Sequence, residues 1–226
     1  MSVSRKGLLA ALAVLVLAFM AAPLLLHRGE KSPQAEFGLP WQIELLPNGG
    51  SRVFGLALGS DTLADARARL GAELQVAIIA RRGEAGTLEA YLPDARASYV
   101  TGKLILNLDA APELVRDMLA RSGGGKYMDS GAGRFNLSPA DQALALQRPL
   151  AAISFIPSVD LDEATILQRF GAPSERIRVS DDVEHFLYAD KGLDIALDTR
   201  GKELLQYVPP REFARLRAPL AAKRAP

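Results

Sequence analysis

Residues 160–173 read DLDEATILQRFGAP, and this stretch sets the expected architecture. Asp160, Asp162 and Glu163 favour a helix start, where backbone N–H groups and the macrodipole attract negative charge. Asp160 reads as the N-cap, with Glu163 in the first turn. Ile166, Leu167 and Phe170 recur at helical spacing and form the stripe that faces a core. Gly171 and Pro173 then stop the helix, because glycine accepts a left-handed C′ conformation and proline cannot continue the hydrogen-bond ladder.

One hundred residues earlier the chain repeats the ending: Arg69-Leu70-Gly71-Ala72 echoes Arg169-Phe170-Gly171-Ala172. The segment before it, Asp61 to Leu70, carries Leu63, Ala66 and Leu70 on one stripe and a Thr62/Asp65 capping box. Further echoes follow in the same order. Leu88-Glu89-Ala90-Tyr91 matches Val183-Glu184-His185-Phe186, and the segment from Gly102 to Leu108 matches that from Gly201 to Tyr207. Glu113-Leu114-Val115-Arg116 finally matches Glu212-Phe213-Ala214-Arg215. Ordered matches with small insertions between them predict an internal duplication.

Each copy is expected to run hairpin or strand, short helix, about three strands and a closing helix. In the second copy the strands fall at Arg176–Val179, Glu184–Tyr188, Leu193–Leu197 and Lys202–Val208. Leu193, Ile195 and Leu197 face inward while Asp194 and Asp198 face out, as in an antiparallel sheet with one wet face. In the first copy, Trp41, Ile43 and Leu45 alternate before the turn residues Pro47-Asn48-Gly49-Gly50, which reads as a hairpin. The expected fold class is therefore α+β: an N-terminal transmembrane helix followed by two tandem helix-plus-antiparallel-sheet repeats. Residues 1–31 form the cytoplasmic tail, anchor and tether, 32–121 the first repeat, and 122–150 a Gly-rich linker and helix. Residues 151–217 form the second repeat and 218–226 a disordered tail.

The anchor is expected from Gly7 to Leu26, 20 residues without a charge. A helix of that length spans about 30 Å, the thickness of a bilayer's hydrocarbon core. Arg5 and Lys6 precede it, and no clean A-x-A cleavage site follows, so a retained signal anchor is favoured over a cleaved signal. Arg28 and Lys31 nearly balance the charges on the other side, so orientation rests on the short leading tail, which stays cytoplasmic. The expected localisation is the inner membrane, single-pass, with the soluble part in the periplasm.

Composition narrows the functions. With 27 basic and 26 acidic residues the net charge is +1, which provides no footprint for nucleic acid. The 226-residue chain has no cysteine, so disulfides, thiolate metal sites, cysteine nucleophiles and an N-terminal lipid-bearing cysteine are excluded. Ser122-Gly123-Gly124-Gly125-Lys126 has the look of a phosphate loop, but Tyr127 stands where Ser or Thr is needed and a helix, not a strand, precedes it. His27 lies at the membrane edge. His185 lies mid-strand beside Asp181, Asp182 and Glu184, too thin a set for a metal centre, and no G-x-S-x-G elbow supplies a serine nucleophile. Asp160, Asp162 and Glu163 are explained by the helix N-terminus they flank. No catalytic, cofactor-binding or metal-ligating residue is therefore assigned, and no cofactor is expected. The lone Trp41 reads as a strand-face or core residue, with ligand stacking as the alternative.

The run DLDEATILQRFGAP, the aromatic strand His185-Phe186-Leu187-Tyr188 and the paired strands around Asp198-Thr199-Arg200-Gly201 resemble the SmpA/OmlA type of outer-membrane assembly lipoprotein domain. A tandem of such units is similar to the β-lactamase inhibitor protein architecture. The stretches LPWQIELLPNGGSRVFGLALG and GKELLQYVPPREFARLR also resemble an uncharacterised proteobacterial membrane-anchored family. The anchor, the repeat and the lack of a catalytic constellation together lead to the expectation of a non-enzymatic envelope protein of binding or assembly type, acting on an envelope protein partner through sheet edges and exposed strand faces. The alternative is a periplasmic hydrolase or metal-dependent enzyme using His185 and neighbouring acids.

Overall fold

The computed structural model describes residues 38–127 and 131–221. The apolar segment Gly7–Leu26, the tether with His27 and the last five residues lie outside the described residues. Among those described, no helix is long and apolar enough to cross a membrane. The described residues belong to one compact unit.

Among the described residues, thirteen strands and five α-helices build that unit. A small sheet comes first, from β1 (Glu44–Leu45), β2 (Ser51–Val53) and β3 (Leu56–Ala57), joined by antiparallel pairing. Helix α1 (Leu63–Leu70) leads into a meander of β4 (Gln75–Ala80), β5 (Thr87–Ala97) and β6 (Val100–Leu108). Helix α2 (Pro112–Ala120) follows. The hairpin β7 (Gly125–Tyr127) and β8 (Gly133–Asn136) then extends the sheet beyond β4, in the stretch read from sequence as a Gly-rich linker. After α3 (Pro139–Leu146), strand β9 (Leu150–Pro157) returns to lie beside β6. Helix α4 (Glu163–Phe170) opens the second half, a meander of β10 (Glu175–Arg178), β11 (Val183–Tyr188), β12 (Leu193–Asp198) and β13 (Leu204–Tyr207). Helix α5 (Ala214–Ala221) closes it.

The expected fold class is corrected here. Two separate helix-plus-sheet repeats do not form; the molecule is mostly β, built on one ten-stranded antiparallel sheet in the order β10-β11-β12-β13-β9-β6-β5-β4-β8-β7. Strand β9 makes the difference, because it pairs with β6 on one edge and β13 on the other. Its period-two burial shows which side chains face the core, but alternation carries no information about which strands sit alongside. Joining the halves through β9 also removes two edges that would otherwise have exposed unpaired backbone groups. One rung of side chains, Leu92, Leu104, Phe155, Leu205, Ile195 and Phe186, now crosses six strands from the first half to the second.

That inner face is covered by α1 through Leu63, Ala66 and Leu70, and by α4 through Ile166 and Phe170. Phe54 plugs in between, its ring 5.1 Å from Phe155 and 5.7 Å from Tyr207. On the opposite face α5 packs Leu220 against Ile177 and Leu187, a second and smaller apolar cluster.

The helix echo is real at the level of local structure. The Thr62/Asp65 capping box forms as read. In α4 the cap is Asp162, accepting from the Thr165 N–H at 2.7 Å, so Asp160 lies outside the helix. Gly71 (φ 96°, ψ 173°) and Gly171 (φ 84°, ψ −168°) end the two helices in the same conformation, each donating its N–H four residues back at 3.0 Å. Their ψ values are extended rather than left-handed helical, a region open essentially to glycine alone.

Candidate functional site

At one end of the inner face the chain leaves an apolar cleft of about 230 Å³. Its floor is Phe155 and Leu205, two fully buried residues of the central strands β9 and β13. One wall is α4, which contributes Thr165, Arg169 and Phe170, and another is the tip of the β5–β6 hairpin, with Tyr99 and Val100. Val159, Asp160 and Leu161, in the link from β9 to α4, complete the rim with Pro40 and Trp41.

Each wall is held by identifiable bonds. Trp41 sits in a turn closed by Gln42, whose backbone N–H donates to the Leu39 carbonyl at 2.9 Å and whose side chain accepts from the Leu39 N–H at 2.8 Å. The buried Tyr207 hydroxyl donates to the Pro40 carbonyl at 3.0 Å, fastening that turn to the sheet. Burial pushes the Tyr207 hydroxyl well above the usual phenol value, so it remains a donor at any physiological pH. The last carbonyls of α4, which have no partner within the helix, are taken up by outside donors. Lys191 donates to the Phe170 carbonyl, and Tyr188 to that of Gly171 at 3.0 Å. The hairpin tip is a two-residue turn with Ser98 at φ 56°.

These supports gather an aromatic cluster at the mouth. Phe170 meets Trp41 edge-on at 6.2 Å, and the Tyr99 ring lies 6.3 Å from that of Trp41. Arg169 lays its guanidinium over the Trp41 ring at 4.8 Å. Tyr99 and Val159 are 68% and 56% exposed, so a large apolar surface faces solvent at this point. The alternation of residues 41 to 45 had placed Trp41 on a strand, but β1 begins only at Glu44, and the ring is half-buried at a cleft instead. Tyr99, Val159 and Arg169 carried no signal of their own in the sequence, since nothing local to them tells that three distant segments meet.

His185 is on the opposite face. Its Nδ1 lies 2.9 Å from both carboxylate oxygens of Asp194, on the neighbouring strand β12. The alternation correctly put Asp194 on the outer face, yet that face is not wet there. Asp194 stands directly opposite Leu187, which α5 covers, and it is only 2% exposed. Burial pushes its carboxyl above the ordinary value, and the bond from His185 pulls it only partly back. Asp181 and Asp182, the acids adjacent in sequence, do not bond His185; Asp182 instead accepts from Thr199 and Arg200 across the turn. Among the described residues no hydroxyl bonds His185, and no three His, Asp or Glu side chains converge as a metal site would require.

The remaining candidates are engaged in structure. Asp160 pairs with Lys202, and Asp162 caps α4. Glu163 pairs at 2.7 Å with Arg176, which also forks onto Glu184 and holds that carboxyl below its usual range. Gly123-Gly124-Gly125-Lys126 enters strand β7 rather than a helix N-terminus, so backbone N–H groups do not surround an anion as in a phosphate loop. The wide hollow of about 680 Å³ beside it is lined by Gly123, Gly124, Gly125, Lys126, Arg134 and Asn136, with no apolar floor.

Comparison with protein-family models, with curated proteins and with solved structures returns no match for this chain.

Proposed function

We propose that this chain is a membrane-anchored envelope protein of binding or assembly type, whose soluble part recognises another protein through the Trp41 cleft. The cleft carries the reading. Aromatic and Arg side chains around a water-excluding pocket are the groups that dominate binding energy at protein interfaces. Here Tyr99 and Arg169 stand exposed around the half-buried Trp41 ring, with the floor supplied by the centre of the sheet. The uncharged run Gly7–Leu26 and the resemblance of residues 160–207 to assembly lipoproteins support the envelope setting.

Photo-cross-linking in intact cells tests it. A benzophenone side chain replaces Tyr99 at the mouth, or Leu144, which is 46% exposed on α3 and does not line the cleft. A discrete adduct from position 99, absent from position 144, is expected. The same adducts from both positions, or none from either, would remove the cleft from consideration. A C-terminal reporter fusion checks the setting, with activity expected on the periplasmic side.

The second reading, a hydrolase or metal-dependent enzyme, rests on the 2.9 Å His185–Asp194 contact. A His–Asp pair orients an imidazole as a general base, but a base needs a nucleophile or water held against its other nitrogen. Turnover of ester or phosphoester substrates that is abolished by H185A, with the fold retained, would establish it over the first.

A further inference from the structure

We infer that the Trp41 cleft accepts one bulky apolar side chain of a partner polypeptide, with a carboxylate next to that side chain bound by Arg169. This inference rests on the binding reading above and gives its partner a chemistry.

Size limits the occupant. About 230 Å³ holds roughly eight water-sized groups, which matches one aromatic or branched aliphatic side chain. It is smaller than the pockets of about 300–1,000 Å³ that enclose whole drug-sized ligands. The Phe155 and Leu205 floor closes it, so a long acyl chain would have no channel to follow. Lining chemistry agrees, since Val100, Phe155, Phe170 and Leu205 offer contact and no hydrogen bonds.

Charge supplies the second half. Asp160 on the rim is already neutralised by Lys202. Arg169 has no ion pair or hydrogen bond among the described residues, and its guanidinium lies over the Trp41 ring. With no acceptor among the described residues engaging its N–H groups, this guanidinium is available to take a carboxylate bidentately. The mouth is thus a hydrophobic socket with one uncommitted cation at its lip. A peptide side chain followed by Asp, Glu or a terminal carboxylate satisfies both.

The chain has a single tryptophan, so Trp41 emission reads the cleft directly. The full-length protein in lipid nanodiscs is titrated with N-acetylphenylalanine, its neutral amide, and octanoate, in wild type, R169Q and R169K. Saturable change with the free acid is expected, with a dissociation constant on the order of 1 mM for a ligand of this size. The amide should bind about tenfold more weakly. R169Q should abolish the difference between acid and amide while leaving amide binding in place, and R169K should recover part of it. Equal binding of acid and amide, or no effect of R169Q, overturns the carboxylate contact but leaves the cleft as a binding site. Tighter binding of octanoate than of the aromatic acid overturns the polypeptide partner in favour of a small amphiphile. No saturable response to any probe overturns this inference and the cleft itself together.

Discussion

Among the described residues, two that are not glycine adopt positive φ, one buried in the core and one in the hairpin tip that walls the cleft. Phe54 (φ 54°) occupies the tight turn between β2 and β3 and is 1% exposed, so aromatic burial offsets a backbone cost of about 1–2 kcal/mol. F54A is expected to destabilise by about 3–5 kcal/mol, read as a fall in the denaturant midpoint without a change in slope. Ser98 (φ 56°) is exposed and has no such compensation, so S98G should be neutral to about 1 kcal/mol stabilising. Y207F leaves the Pro40 carbonyl without its donor. A loss of about 1–3 kcal/mol is expected, with a shift in Trp41 emission that distant core changes do not cause. Asp194 governs a pH effect. Its folded carboxyl sits above the ordinary 3.8, so the folded state holds the proton more tightly than the unfolded chain does. Its contribution to stability is therefore present below that ordinary value and lost as pH rises through the raised one. Measured from pH 4 upward, the stability of D194N relative to wild type should improve; a flat difference would contradict the burial argument. Neither Phe54 nor Asp194 was legible as special, because a strained turn and a covered outer face depend on partners far along the chain.

Among elements, local signals were read well. The capping box at Thr62, the glycine stops of α1 and α4, and the four strands of the second half all follow from cap chemistry and periodicity within a dozen residues. Gly71 has no atom within 4 Å of an added Cβ, and Gly171 has only the Lys191 amine at 4.0 Å, so a methyl group would meet no crowding. G71A and G171A should therefore each cost about 1–3 kcal/mol through backbone conformation alone, and by similar amounts. A much larger cost at one of them would show that packing matters there after all. Less legible was the hairpin β7–β8, whose glycines signal a loop; Phe135 packs where Cβ atoms at Gly125 and Gly133 would stand, so the small residues serve a close approach. The cleft combines elements of both kinds: α4 was foreseen, but the hairpin tip and the Trp41 turn that meet it were not.

For the whole molecule, the decisive feature is β9, whose pairing on both edges turns two half-sheets into one. Sequence similarity between the halves made separate repeats the natural expectation, since internal matches show what resembles what and are silent on what lies beside what. The consequence is functional. Pro40, Trp41, Tyr99 and Val100 come from the first half, Arg169, Phe170 and Leu205 from the second, and Phe155 from the strand that joins them. A fragment limited to residues 151–217 should neither fold cooperatively nor present the cleft, because β9 would lose β6 and the floor would open to water. The measurement that tests this most directly is guanidinium unfolding of the protein, followed at once by Trp41 emission and by exchange protection of β11 and β12 amides. Trp41 reports the cleft from the first half, and those amides report the second. One shared midpoint and slope are expected if a single sheet builds a single site. Two separated transitions, with the β11 and β12 amides still protected after Trp41 is released, would contradict it.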